Sequence, residues 1–225
     1  MKKYLFILLL ILTPSLLMAE TSVAGFIPLA GSGRQVYNFN PGWRYYKGDI
    51  KGVEAVNYDD SAWEIVSTPH TVELMPAEGS GCRNYQGPVW YRKRFIIPAE
   101  TEGKDIIIHF EAVMGKQIVY LNGKQVLEHL GGYLPFSVNL TENGCQPGDS
   151  CIIAVLADNS NDKNYPPGKP QYTLDFTYHG GIYRDVWMIA KSPVSITDAV
   201  DADKLAGGGV FVHFDNISEK SAQVY

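Results

Sequence analysis

The chain has 225 residues, a formal net charge of −5, 22 glycines, 13 prolines and 12% aromatic residues. An acidic balance without a basic cluster excludes nucleic acid and anionic membrane surfaces as partners. So much glycine, proline and aromatic content, with no stretch rich in alanine, leucine, glutamate and lysine, places the chain in the all-β class.

Lys2 and Lys3 open the chain, and an apolar run from Tyr4 to Leu12 leads past Pro14 to Ala19. This is the pattern of a secretory signal peptide over residues 1–19, cut after Ala19. The apolar run is too short and too interrupted to span a bilayer. The mature chain is therefore expected to be periplasmic or secreted, with no insertion into a membrane. Thr21–Asn40, polar and glycine-rich, reads as a loose arm with order starting near Phe39. Trp43–Tyr46 reads as a strand, and Tyr58–Trp63 as a turn that carries one aromatic into the core. A polar, glycine-rich loop follows at Pro76–Pro88, carrying Glu78, Cys82, Arg83, Asn84 and Tyr85.

From Val89 the strand pattern is clear. Trp90–Ile97 sets Tyr91, Phe95 and Ile97 on one face against Arg92 and Arg94 on the other, as a half-buried strand does. Ile106–Phe110 is apolar on both faces. Gln117–Leu121 and Lys124–Leu127 are joined by Asn122-Gly123, two residues that tolerate φ > 0 and so suit a type I′ hairpin turn. A Gly131–Phe136 bend leads into Ser137–Leu140. Cys145 and Cys151 flank a short turn, where they either close a disulfide in an oxidising compartment or fill apolar positions as free thiols. Three cysteines allow one internal bridge at most. Cys151–Ala157, almost wholly apolar, reads as a central strand.

After that strand comes a long polar loop, Asp158–Asp175, leading through Gly180-Gly181 into the run Ile182–Ile189. Carboxylates and amides beside Tyr165, Tyr172, Phe176 and Tyr178 supply partners for hydroxyl groups and flat apolar faces, which is the chemistry of a sugar site. The same residues also suit a rigid loop whose Asn and Asp side chains cap turns. The five histidines sit far apart, without metal-ligand spacing, and no motif calls for a cofactor.

Five pieces in order, Pro88–Phe95, Phe110–Val113, Val119–Gly123, Gly131–Phe136 and Gly180–Val186, resemble the N-terminal sugar-binding domain of glycoside hydrolase family 2. That family includes β-galactosidases, β-glucuronidases and β-mannosidases. The resemblance implies a jelly-roll β-sandwich of the galactose-binding type over residues 20–190. It implies an incomplete immunoglobulin-like sandwich over 191–225, with strands at Val194–Ile196 and Val210–Phe214. In the family a (β/α)8 barrel follows and holds two catalytic glutamates, so none of the catalytic residues is expected in this chain. The jelly roll instead reaches the barrel mouth with an Asp from the later loop and an Asn from the earlier one. Asp158, Asn159 and Asp162 share the first role here, and Asn84 takes the second. The partner implied is a carbohydrate, a β-glycoside, with galactosides among the candidates. The chain then reads as the N-terminal portion of an exported β-galactosidase-like hydrolase, inactive by itself. The alternative is a free-standing carbohydrate-binding module without catalysis.

Overall fold

The computed structural model describes the strand Phe26–Pro28 and residues 33–74, 84–202, 204–205 and 207–225. The expected signal peptide, and Glu78, Cys82 and Arg83 of the earlier loop, lie outside the described residues.

In chain order the strands are β1 (Phe26–Pro28), β2 (Gln35–Asn38), β3 (Trp43–Lys47), β4 (Glu64–Val66), β5 (Pro88–Ile96), β6 (Asp105–Phe110), β7 (Lys116–Leu121), β8 (Lys124–Leu130), β9 (Phe136–Asn139), β10 (Ser150–Asp158), β11 (Val186–Lys191), β12 (Phe214–Asp215) and β13 (Gln223–Val224). Two single turns of 3₁₀ helix, Ala99–Thr101 and Gln171–Thr173, are the helical elements among the described residues. One sheet has the order β1-β2-β11-β6-β9 and the other β4-β3-β5-β10-β7-β8, with every neighbouring pair antiparallel. The two sheets face each other as a jelly-roll β-sandwich.

The core lies between them because alternate residues of each strand point inward. Phe39 meets Trp43 and Phe95 edge to face, with ring centroids 5.6 and 5.0 Å away. Phe110 stacks on Phe136 at 4.8 Å. Each fully buried ring of this kind contributes ~1.5–3 kcal/mol through burial, and the one polar atom of Trp43 is satisfied, its Nε1–H donating to the Phe39 carbonyl at 3.1 Å. The Asn122-Gly123 tip forms as the sequence predicts, with φ of 49° and 85°.

The longest pairing sets the functional geometry. β10 and β5 run together over nine residues, from Ser150 opposite Ile96 to Asp158 opposite Pro88. The start of the later polar loop is thereby placed beside the end of the earlier one, although some 70 residues separate them in sequence.

Three expectations need correction. Part of the presumed loose arm is β2, which lies inside its sheet between β1 and β11, with Tyr37 in the core. Arg92, expected on a solvent face, is fully buried. The segment before β4 folds over the outer face of the second sheet, packing Val53 and Trp63 against Trp90 and Ala154. Beneath it the Arg92 Nε–H donates to Asp60 at 2.8 Å, and its Nη1 donates to the Val53 and Ala55 carbonyls. Finally, Val194–Ile196 and Val210–Val212 are not strands. The regular structure in that region is the exposed two-residue pair β12 and β13, and a hairpin with no sheet to pack on is marginal in water.

Candidate functional site

The two polar loops are tied together by backbone-directed side chains. Asn159, buried, accepts the Gly87 N–H on Oδ1 at 2.9 Å and donates from Nδ2 to the Tyr85 carbonyl at 2.9 Å. Its own carbonyl accepts from Gln171 Nε2 at 2.8 Å, and Gln171 N–H donates to Asn161 Oδ1 at 3.0 Å. Asn84, also buried, donates to the Tyr178 carbonyl. The glycine pair closes the knot from below. A Cβ on Gly181 would sit 2.2 Å from the Tyr91 hydroxyl, and its φ of 92° is a conformation that glycine alone takes readily. Thr71 and His179 meet at 3.2 Å, and the Val72 N–H donates to the Gly180 carbonyl at 3.1 Å.

Two groups of side chains border this knot. The first is acidic and aromatic. Asp158 and Asp162 lie beside the half-buried Tyr165, and burial followed by the Asp162 and Asp158 charges raises its phenol above the ordinary value. The second is an aromatic cluster, with Tyr178 buried, Phe176 5.0 Å from it and Tyr133 6.1 Å from it. Burial and a hydrogen bond to Tyr178 push the Tyr133 phenol up. Phe176 and Tyr133 are 49% and 42% exposed, so each presents a ring to solvent while the other side is anchored.

The residues expected to contact sugar therefore divide. Asn159 and Asn84 are brought together, but as ties between the loops. Both polar atoms of the Asn159 side chain are engaged by backbone, and the engaged atom of Asn84 is its donor. Asp158 Oδ1 accepts the Ser160 N–H at 2.8 Å and Asp162 Oδ1 accepts the Asn164 N–H at 2.7 Å, so each caps a local turn with one oxygen, and the second has no hydrogen bond among the described residues. Sequence reasoning did not single out Asp175. It is exposed, and no hydrogen bond or ion pair among the described residues engages it. The one signal for it is position, a carboxylate directly before Phe176 in a loop whose other acids open Asx turns. Two cavities lie away from these loops: a groove of about 670 Å³ runs from Val126–Asn139 to Ala199–Leu205, and a small one is lined by Arg34, Ile107, His109, Ile189, Lys191 and Asp198.

Residues 51–193 match the model of "Glycosyl hydrolases family 2, sugar binding domain". A beta-glucuronidase of Formosa agariphila is 35% identical over 207 residues, covering 87% of this chain and 21% of that protein. A beta-galactosidase of Thermoanaerobacter pseudethanolicus is 37% identical over 166 residues, covering 74% and 22%. The crystal structure of a Bacteroides uniformis beta-glucuronidase superposes with a TM-score of 0.68 at 31% identity, covering 85% of this chain and 21% of that one. The chain thus spans about a fifth of the length of these relatives. The match takes in both polar loops, the β5–β10 pairing that juxtaposes them and the glycine pair beneath, and by it the chain belongs to glycosyl hydrolases family 2, through the family's sugar binding domain.

Proposed function

We propose that this chain forms the sugar-recognising wall of an exported β-glycosidase. The bond-breaking carboxylates are supplied by a domain that the chain itself does not contain. The observation that carries the reading is the family match over residues 51–193, which takes in both loops and the knot between them. Hydrolysis with retention needs two carboxyl groups ~5–5.5 Å apart, a role the family gives to its barrel. The part proposed for this face is to hold the terminal sugar: Asp162 and Asp175 accept from ring hydroxyls, and Phe176 and Tyr133 lie against the apolar face of the ring. Relatives named beta-glucuronidase and beta-galactosidase make a β-linked glucuronide or galactoside the substrate class to try first.

One wall leaves most of a sugar in water, whereas small-molecule sites bury ~70% or more of their ligand. Binding by the 225-residue chain is therefore weak and turnover absent. The experiment is an assay of the purified chain on nitrophenyl β-galactoside, β-glucuronide and β-mannoside. No release of nitrophenol is expected. Turnover that survives repurification would mean that catalytic residues lie within the chain, and the reading would be abandoned. The exposed Phe176 and Tyr133 rings also favour a second reading, a binding module that works without catalysis. Tight sugar binding by the chain alone would choose that one.

A further inference from the structure

Far from the loop face, Cys145 and Cys151 stand at either end of the turn between β9 and β10, both buried within the main core. Their sulfurs are 3.2 Å apart as free thiols, roughly 1 Å more than the ~2.05 Å of an S–S bond. The backbone between them is held on every side. Cys145 N–H donates to the Leu140 carbonyl at 3.0 Å, and Gln146 N–H to Asp149 Oδ2 at 2.8 Å. Gly148 N–H donates to the Ile97 carbonyl at 2.8 Å, and Ile97 N–H returns to the Asp149 carbonyl at 3.0 Å. The Asn122 amide lies 3.7 Å from each sulfur and also accepts the Ile152 N–H at 2.8 Å. The turn thus presents two buried thiols to each other at 3.2 Å.

We propose that Cys145 and Cys151 are a disulfide site, closed during folding by a disulfide oxidant such as glutathione disulfide or the active disulfide of a thiol oxidase. One cysteine thiolate attacks the oxidant, forming a mixed disulfide and releasing one oxidant thiol. The second cysteine attacks the protein sulfur of that mixed disulfide and releases the other. The two cysteines lose two protons and two electrons, and the oxidant's S–S bond is reduced to two thiols. Timing follows from burial: Cys145 and Cys151 are 3% and 1% exposed, so an oxidant or reductant reaches them only while the turn is open. In the folded chain burial, with the Cys151 sulfur beside it, pushes the Cys145 thiol up to about 12, leaving little thiolate to react. Whichever state the pair has when the core closes is the state that persists. Once formed, the bond ties the end of the β9 segment to β10, and so one sheet to the other.

The test refolds the reduced, denatured chain in a mixture of reduced and oxidised glutathione, then maps the cysteines by alkylation under denaturing conditions and peptide mass. The expected product joins the Cys145 and Cys151 peptides, lighter by two hydrogens, with Cys82 alkylated. Its thermal midpoint lies roughly 4–8 °C above that of the reduced chain. The double variant Cys145→Ala/Cys151→Ala shows no difference between the two conditions. The same mapping on chain secreted through an oxidising compartment gives the readout without refolding. Recovering both cysteines alkylated, or both capped by glutathione, overturns the proposal.

Discussion

Asn159 and Lys93 show how far one side chain decides the local structure. Asn159→Ala would leave the Gly87 N–H and the Tyr85 carbonyl without their partners in a buried junction. The expected cost is ~2–4 kcal/mol, read as a lower urea midpoint at unchanged slope. Asp162→Ala should leave stability within about 0.5 kcal/mol, because what it loses is a turn cap at the surface. Lys93 is the opposite case, 1% exposed in the core beside Phe39, its ammonium held by the Phe39 and Pro41 carbonyls at 2.7 and 2.8 Å with no carboxylate paired to it among the described residues. Burial pushes it from 10.5 down to about 7. The unfolded chain therefore binds more protons between about pH 7 and 10.5. Stability attributable to Lys93 rises through that window by up to ~1.4 kcal/mol per pH unit, and its penalty is complete below pH 7. Lys93→Met should accordingly gain most against the parent in weakly acidic buffer and lose that advantage as the pH rises. Chemical denaturation at pH 6 and pH 9 checks it, and an advantage independent of pH would show that Lys93 is not a desolvated cation.

Among the elements, the hairpin between β7 and β8 was written in two residues, β5 in its alternation, and β6 and β10 in their continuous apolar runs. Asn122 does more than turn the chain, since its N–H donates to the Ile152 carbonyl and its Oδ1 accepts the Ile152 N–H, both at 2.8 Å. It thereby pairs with β10 as a strand residue would. Gly123→Ala should cost ~1–2 kcal/mol from backbone strain alone at φ 85°, and Asn122→Ala should cost ~1–3 kcal/mol through the unpaired Ile152 N–H. Thermal melts of the two variants test this, and a neutral Asn122→Ala would show that the Ile152 bond adds nothing. β2 was not legible, because a four-residue strand with Val36 and Tyr37 as its apolar positions carries no period long enough to stand out from the polar arm around it. Arg92 was misplaced for a related reason. Strand alternation says which face a residue takes, but whether that face meets water depends on what folds over it. Here the cover is the Val53–Trp63 segment, contributed from about 30 to 40 residues away.

In the whole molecule, the two-sheet sandwich and the loop pair were legible because strand periods and family motifs are local. The division of labour within the loops was not. Asn159 finds its partners 72 and 74 residues earlier in sequence, a consequence of the β5–β10 register that no local pattern announces. The proposed function thus rests on a single surface, where the Asn159 and Asn84 amides tie the loops and the carboxylates and rings are proposed as the sugar ligands. The measurement that tests it most directly is an NMR titration of the purified, isotope-labelled chain with methyl β-glucuronide and methyl β-galactoside. The predicted result is weak, saturable shifts confined to amides around Asp162, Tyr165, Asp175 and Phe176 and to Tyr133. Shifts centred on the Val126–Asn139 groove, or none at the highest soluble sugar concentration, would contradict the assignment of this face as the sugar-recognising wall.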